Sequence, residues 1–212
     1  MTNRAEIRPA VVTDIPYVYD ICFRTGFKGN SAEPYYADRF LLGQYYAAPY
    51  VLFSGEFSFI LEDPATHVPK GYILGAGDSE AFYTVRAAEW LCHLKAQCLF
   101  LDDSKSEFEA SLKKTILAGI DYAAGAEDKM LFREYPAHFH VDILPDMQHG
   151  GYGHALMNAF LSRLTEKRVE GVHLGVDRDN ANACRFYEKE GFSVLQEKDW
   201  GFVMGKKLSR TL

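Results

Sequence analysis

Two periodicities alternate along the chain. Apolar residues at every second position mark strands, and apolar residues three and four apart mark helices. Ala137, Phe139, Val141 and Ile143 alternate with His138, His140 and Asp142, which predicts a strand over Ala137–Ile143. Further on, Leu156, Met157, Phe160, Leu161 and Leu164 recur at helical spacing, and that helix is predicted to run to about Lys167. Gly150, Gly151 and Gly153 lie between the two. A strand, a glycine-rich turn and a helix start make a natural anion site, because first-turn N–H groups have no partner inside their helix.

The same reading extends to the rest of the chain. Glu6–Ala10 is predicted as a strand stopped near Pro9. Thr13 or Asp14 can cap a helix carrying Ile15, Val18, Tyr19 and Cys22 on one face. Residues 25–34 are a loop by their Gly, Asn, Ser and Pro content. A second helix is predicted from about Pro34 to Ala47 with Tyr36, Phe40 and Leu41 inward, ended by Tyr45, Tyr46, Pro49 and Tyr50. Glu56–Glu62 and Lys70–Gly77 read as an antiparallel hairpin around the turn at 63–69. A helical pattern of about sixty residues follows. Phe82, Val85, Glu89 and Cys92 mark one stretch, and Phe108, Leu112, Ile116 and Ile120 another, with Ser104 or Ser106 as its cap. After the glycine turn and its helix come a strand at Gly171–Val176, a turn at Asp177–Asn180, and a helix at about Ala181–Glu190. Gly191 stands where a helix commonly ends in a left-handed residue. Two strands, one after Phe192 and one after Trp200, close the chain. Hairpins mixed with crossovers predict an α/β fold: a mixed central sheet covered by helices on both faces, in one domain spanning 1–212.

Composition narrows the partners. The net charge of −6 argues against broad binding to nucleic acid or anionic membranes, and mildly suits a cationic amine. No apolar run is long enough to span a membrane, and the first residues lack a signal core. Cys22, Cys92, Cys98 and Cys184 form no C-x-x-C pair, so reduced thiols in a cytoplasmic protein are expected.

The glycine turn fits neither of the two commonest phosphate loops. A P-loop needs Gly-Lys-Ser/Thr at its end, and His154 follows Gly153. A dinucleotide fingerprint needs a small residue three after Gly153, where Leu156 stands. What remains is Gln148-x-x-Gly151-x-Gly153 after a strand. About thirty residues later comes Asn180-x-x-Ala183-x-x-Phe186-Tyr187-x-x-x-Gly191-Phe192, past a helix and a strand. With these two motifs in this order, the chain resembles the GNAT family of N-acetyltransferases. The opening Ile7-Arg-Pro-Ala with Asp14 is similar to the family's first strand and helix. The stretch 135–145 is similar to proteins related to the acetyltransferase-like domain of O-GlcNAcases. The resemblance does not cover the helical insertion at about 80–135.

The resemblance implies a GNAT fold whose fourth and fifth strands splay apart. It implies acetyl-CoA (coenzyme A) as co-substrate, with no metal. The backbone of Gln148, His149, Gly150, Gly151, Tyr152, Gly153 and His154 would cradle the pyrophosphate, assisted by the helix dipole. Ile143 and Leu144 would bond the pantetheine arm in the splay, and Asn180, Ala183 and Tyr187 belong to the second motif. The implied reaction is transfer of an acetyl group to a primary amine, on a small molecule or a peptide lysine, by direct attack in a ternary complex. Tyr187 would give the leaving thiolate its proton; the alternative is a packed aromatic.

The base is open among Glu134, His138, His140 and Asp142. The last three share one strand face if pleating is regular. Two departures from the family matter. Position 149 is His where a basic residue is common, and Lys and Arg are absent from 146–154, so binding would rest on backbone groups. The insertion is also long; it is expected to shape the acceptor site or the interface of a homodimer, with its aromatics Phe82, Tyr83, Trp90 and Phe100 mostly in the core. A non-catalytic acyl-CoA-binding or interaction module is the alternative function, and transfer of a longer acyl group stays open.

Overall fold

Seven strands form one sheet: β1 (Glu6–Pro9), β2 (Ser58–Asp63), β3 (Val68–Ala76), β4 (Ala137–Ile143), β5 (Gly171–Asp177), β6 (Ser193–Lys198) and β7 (Gly201–Lys207). The computed structural model describes residues 5–98, 103–119 and 126–208. The strand order is β1-β2-β3-β4-β5-β7-β6. Every neighbouring pair is antiparallel except β4 and β5, which run parallel. That parallel pair is joined by the crossover helix α8 (Tyr152–Glu166), as a parallel connection requires.

Strand pleating sends alternate residues into two cores. Ile60, Tyr72 and Leu74 pack with Val18, Ile21 and Cys22 of α1 (Ile15–Thr25) and with the helices between β3 and β4. Phe59, Leu61, Ile73 and Phe139 face the other way, onto Leu156, Met157 and Phe160 of α8 and Tyr187 of α9 (Ala181–Lys189). The helices therefore cover both faces, as the pattern of elements predicted. Among the described residues no helix is long and apolar enough to cross a membrane.

Three local expectations are corrected. The helix predicted over 34–47 is instead two short ones, α2 (Leu41–Tyr46) and α3 (Ala48–Phe53). Pro49 sits in the first turn of α3, where its missing N–H has no helical partner to lose, so it starts a helix rather than ending one. Tyr36 and Leu41 are buried as expected, but Phe40 is 50% exposed, edge-on to Tyr19. In α4 (Ser79–Arg86) the inward face is Phe82, Tyr83 and Arg86, while Val85 is exposed. The helix then passes through a π-helical turn at Ala87–Leu91 into α5 (Cys92–Leu94). That extra residue per turn rotates the face, so Leu91 and Leu94 are inward and Cys92 is exposed.

Arg86 is buried because Tyr45 and Tyr83 stack on its guanidinium and the Tyr45 carbonyl accepts from it. Ser106 caps α6 (Glu107–Ala118), with Leu112 and Ile116 buried and Phe108 half out against Phe27 and Tyr35. Phe100 and Ile120 lie outside the described residues. The chain then passes through α7 (Ala126–Glu134) into β4.

Candidate active site

The parallel pairing of β4 with β5 covers only Ala137↔Val172 and His138↔His173. Both strands continue, to Ile143 and Asp177, without pairing to each other. The sheet therefore opens into a slot toward the C-terminal ends of its two central strands, the splay that the resemblance implied.

Backbone alternation decides which groups face the slot. Leu144 N–H donates to Lys70 O of the neighbouring chain segment, and Leu144 O accepts from Met147 N–H. Both backbone groups of Leu144, expected to bond a pantetheine arm, thus have partners within the chain. In an antiparallel ladder alternate residues turn their groups to opposite neighbours. Asp142, His140 and His138 bond toward β3, while Phe139, Val141 and Ile143 turn N–H and C=O toward β5. Val141 was missed by sequence reading; the register of the ladder supplies the signal. Ile143 O currently accepts from the Gln148 side chain at 2.9 Å.

At the head of the slot, no amide from His149 to His154 bonds a carbonyl among the described residues; the first helical bond is Ala155 N–H to Gly151 O. The free amides fall at the N-terminus of a fifteen-residue helix, whose dipole adds positive potential. His149 and Gly151 both adopt left-handed backbone, at φ 66° and 78°. A Cβ on Gly151 would meet nothing within 4 Å, so conformation demands glycine there and leaves open space over the amides. Gly153 is different: a Cβ there would come to 3.3 Å from Phe186. Its bareness serves the packing of α8 on α9, which ties the first motif to the second. His154 is exposed, between Glu190 and Asn158, and Tyr152 OH accepts from Ala5 N–H at 3.4 Å. Asn180 caps α9 by accepting from Ala183 N–H at 3.1 Å.

His138, His140 and Asp142 share one face of β4, as pleating predicted, opposite Phe139 and Val141. Their surroundings differ. Ser79 Oγ donates to Pro136 O, so it accepts from His138 Nδ1–H, and His138 Nε2 accepts from Tyr50 OH at 2.8 Å. Both ring nitrogens are used, and burial holds the imidazole neutral, far below its ordinary pKa. His138 is thus part of the core. His140 lies edge-on to Tyr46 and Tyr50; burial, then the charge of Arg86, lowers its pKa to about 4. Asp142 accepts from Tyr72 OH at 2.7 Å, with Thr25 close by. Burial outweighs these partners and raises its carboxyl above the ordinary value.

Tyr187, on the other face, is 9% exposed, against Phe139 and Phe192. Burial, then the charge of Asp142, raises its phenol far above the ordinary value. Its hydroxyl forms no hydrogen bond among the described residues. Glu134 does not join them. It is exposed at the opposite, closed end of β4, beside Lys207 at 3.6 Å.

A strap crosses from β4 to β5 on the α1 face. Thr25 stands beside Asp142, and Phe27 and Asn30 then close a tight turn with two backbone bonds of 2.9 Å. From that turn Lys28 reaches Asp179 at 2.7 Å and Asp177 at 3.2 Å, at the end of β5.

This sheet, its splay and the glycine turn define a fold of the GNAT class. The model of the acetyltransferase (GNAT) family matches residues 79–192, more than half of the chain, and the chain belongs to that family. The match runs through the helical insertion that motif reading had set apart. A crystal structure of SsHAT superposes with a TM-score of 0.84 at 31% identity, covering 97% of this chain and 99% of that one. The mycothiol acetyltransferase of Corynebacterium aurimucosum is 33% identical over 124 residues, which are 58% of this chain and 38% of that protein. The chain thus matches well under half the length of this curated relative. The PaiA N-acetyltransferase of Thermoplasma acidophilum, solved in complex with coenzyme A, shares the fold at a TM-score of 0.58 and 14% identity, covering 96% of this chain and 98% of that one.

Proposed function

We propose that the protein is an acetyl-CoA-dependent N-acetyltransferase that acetylates a primary amine by direct attack in a ternary complex. The observation that carries this is the splay itself: β4 and β5 part after two paired residues, beside a helix N-terminus whose amides are free. The pyrophosphate would rest on the amides of His149 to His154. The pantetheine arm would run in the slot against the outward backbone groups of Val141 and Ile143. One of those N–H groups would polarise the thioester carbonyl and hold the oxyanion that forms there.

Asp142 is the proposed base. Its carboxylate lies at the slot, its raised pKa suits proton uptake, and its charge attracts an ammonium. The ammonium first loses one proton to water, and Asp142 takes the second as the neutral nitrogen attacks the carbonyl carbon. The C–S bond then breaks, and Tyr187, held protonated by burial, donates to the leaving sulfur. Its position in the second motif and its free hydroxyl support that role.

Thiol release from acetyl-CoA in the presence of an amine panel tests the reading. Tyr187→Phe is expected to lower kcat roughly 10²-fold while leaving CoA affinity unchanged. An unchanged rate removes Tyr187 from the chemistry. Coenzyme A binding with no turnover for any amine would favour a non-catalytic binding module.

A further inference from the structure

A cavity of about 570 Å³ opens on the α1 face, with Asp20, Arg24, Glu33, Arg39, Lys105 and Pro145 in its lining. Two of its walls are chain neighbours of the slot. Arg24 precedes Thr25, which stands beside Asp142, and Pro145 follows the end of β4. Three residues of extended chain separate Asp142 from Pro145, roughly 10 Å.

The charges in the cavity are unevenly satisfied. Arg24 and Arg39 share one carboxylate, Asp20, at 3.4 and 3.3 Å. Among the described residues the Lys105 ammonium donates to one backbone carbonyl, Glu33 O, at 2.6 Å. Asp146, near Arg24, is already paired with Lys70 at 2.7 Å. Among the lining residues three exposed cations thus face two carboxylates, Asp20 and Glu33, while the buried carboxylate of Glu109 behind them is taken up by the N–H groups of Ala37, Asp38 and Lys105 and by Lys113 at 3.6 Å. The guanidinium of Arg39 is also held in place, at 6.0 Å from the Phe23 ring and 5.7 Å from the Phe40 ring.

From this geometry we infer that the cavity receives an acidic group at the far end of the acceptor, so that the amine acetylated at Asp142 belongs to a molecule also carrying a carboxylate or a phosphate. The inference rests on the acetyltransferase reading and names the substrate class of that site. Planar guanidinium groups suit either oxyanion, and Lys105 adds a third donor. The acid anchors the acceptor, and its length sets how far the amine reaches into the slot.

The test uses aminohexanoate and aminooctanoate with the amine on the terminal carbon, their methyl esters, and the matching aminoalkyl phosphates. Turnover is measured with acetyl-CoA, and binding is measured by calorimetry in the presence of coenzyme A. The acids or phosphates are expected to bind and react roughly tenfold better than the uncharged esters. Preference between carboxylate and phosphate identifies the group. Arg24→Gln, Arg39→Gln and Lys105→Gln should raise KM for the acidic acceptors and leave kcat and the ester values unchanged. Equal affinity for acids and esters, or variants that weaken both alike while melting as the wild type does, overturns the inference. If no acceptor turns over, the transfer reading fails, and the binding comparison still decides the subsite.

Discussion

Asp142 and His140 stand two residues apart on one strand face, yet their environments assign them different parts. His140 is held neutral, with a pKa of about 4, whereas burial raises the Asp142 carboxyl above its ordinary value, and only Asp142 brings a carboxylate, oriented by Tyr72 OH, to that face. Asp142→Asn is therefore expected to lower kcat roughly 10²-fold, and His140→Gln less than tenfold. Steady-state rates at saturating acetyl-CoA check this, and a larger loss in His140→Gln would move the base to that side chain. Residue types at 138, 140 and 142 were legible as candidates because pleating puts them together. Their ranking was not, because Ser79 and Tyr50 come from distant parts of the chain to occupy both nitrogens of His138.

Elements carry the cradle and the strap. Gly151 is left-handed, so Gly151→Val forces a branched side chain into a backbone region that costs an L-residue about 1–2 kcal/mol, and its Cβ enters the space above the free amides. The variant is expected to lose coenzyme A binding in calorimetry with only a modest drop in melting temperature; retained affinity would remove the cradle assignment. The strap predicts a different signature. Lys28→Met removes both ion pairs to the end of β5 and should change the acceptor KM while leaving coenzyme A affinity intact. Wild-type activity should share that sensitivity as salt screens these exposed pairs.

Elements were legible where one period dominates, as in β4 and α8. They were misread where packing overrides local pattern. Pro49 read as a terminator but initiates α3; α4 turns Tyr83 and Arg86 inward in place of Val85, and the π-helical turn at Ala87–Leu91 then leaves Cys92 exposed.

Across the whole molecule, His138 and His173 lie buried near the closed end of the slot, with ring centroids 5.8 Å apart. Burial lowers both, and His140 as well, with His140 and His173 each at about 4. Each is neutral when folded and takes a proton when unfolded below about pH 6.5, so the unfolded state binds more protons on the acid side. Stability is therefore expected to be full above about pH 6.5 and to fall as pH drops toward 4, by about 1.4 kcal/mol per pH unit for each histidine. Melting curves across that range check the slope, and His173→Gln should flatten it.

Sequence by itself determined the class of protein. The glycine turn and the Asn180–Phe192 motif are local, because backbone conformation, helix capping and helix dipoles are written in neighbouring residues. They pointed to the acyl-CoA side of the site and to Tyr187. Tertiary structure decided what depends on residues far apart. The ladder with β3 turns the backbone groups of Val141 and Ile143 to the slot and pairs the N–H of Leu144 with Lys70. Phe186 explains Gly153, and Glu134 stands beside Lys207 at the closed end of β4. The charged cavity likewise exists only because α1, the loop after it, Lys105 and Pro145 meet in space. Hydrogen-bond parity, burial and charge balance are properties of such meetings, so no window of the sequence contains them.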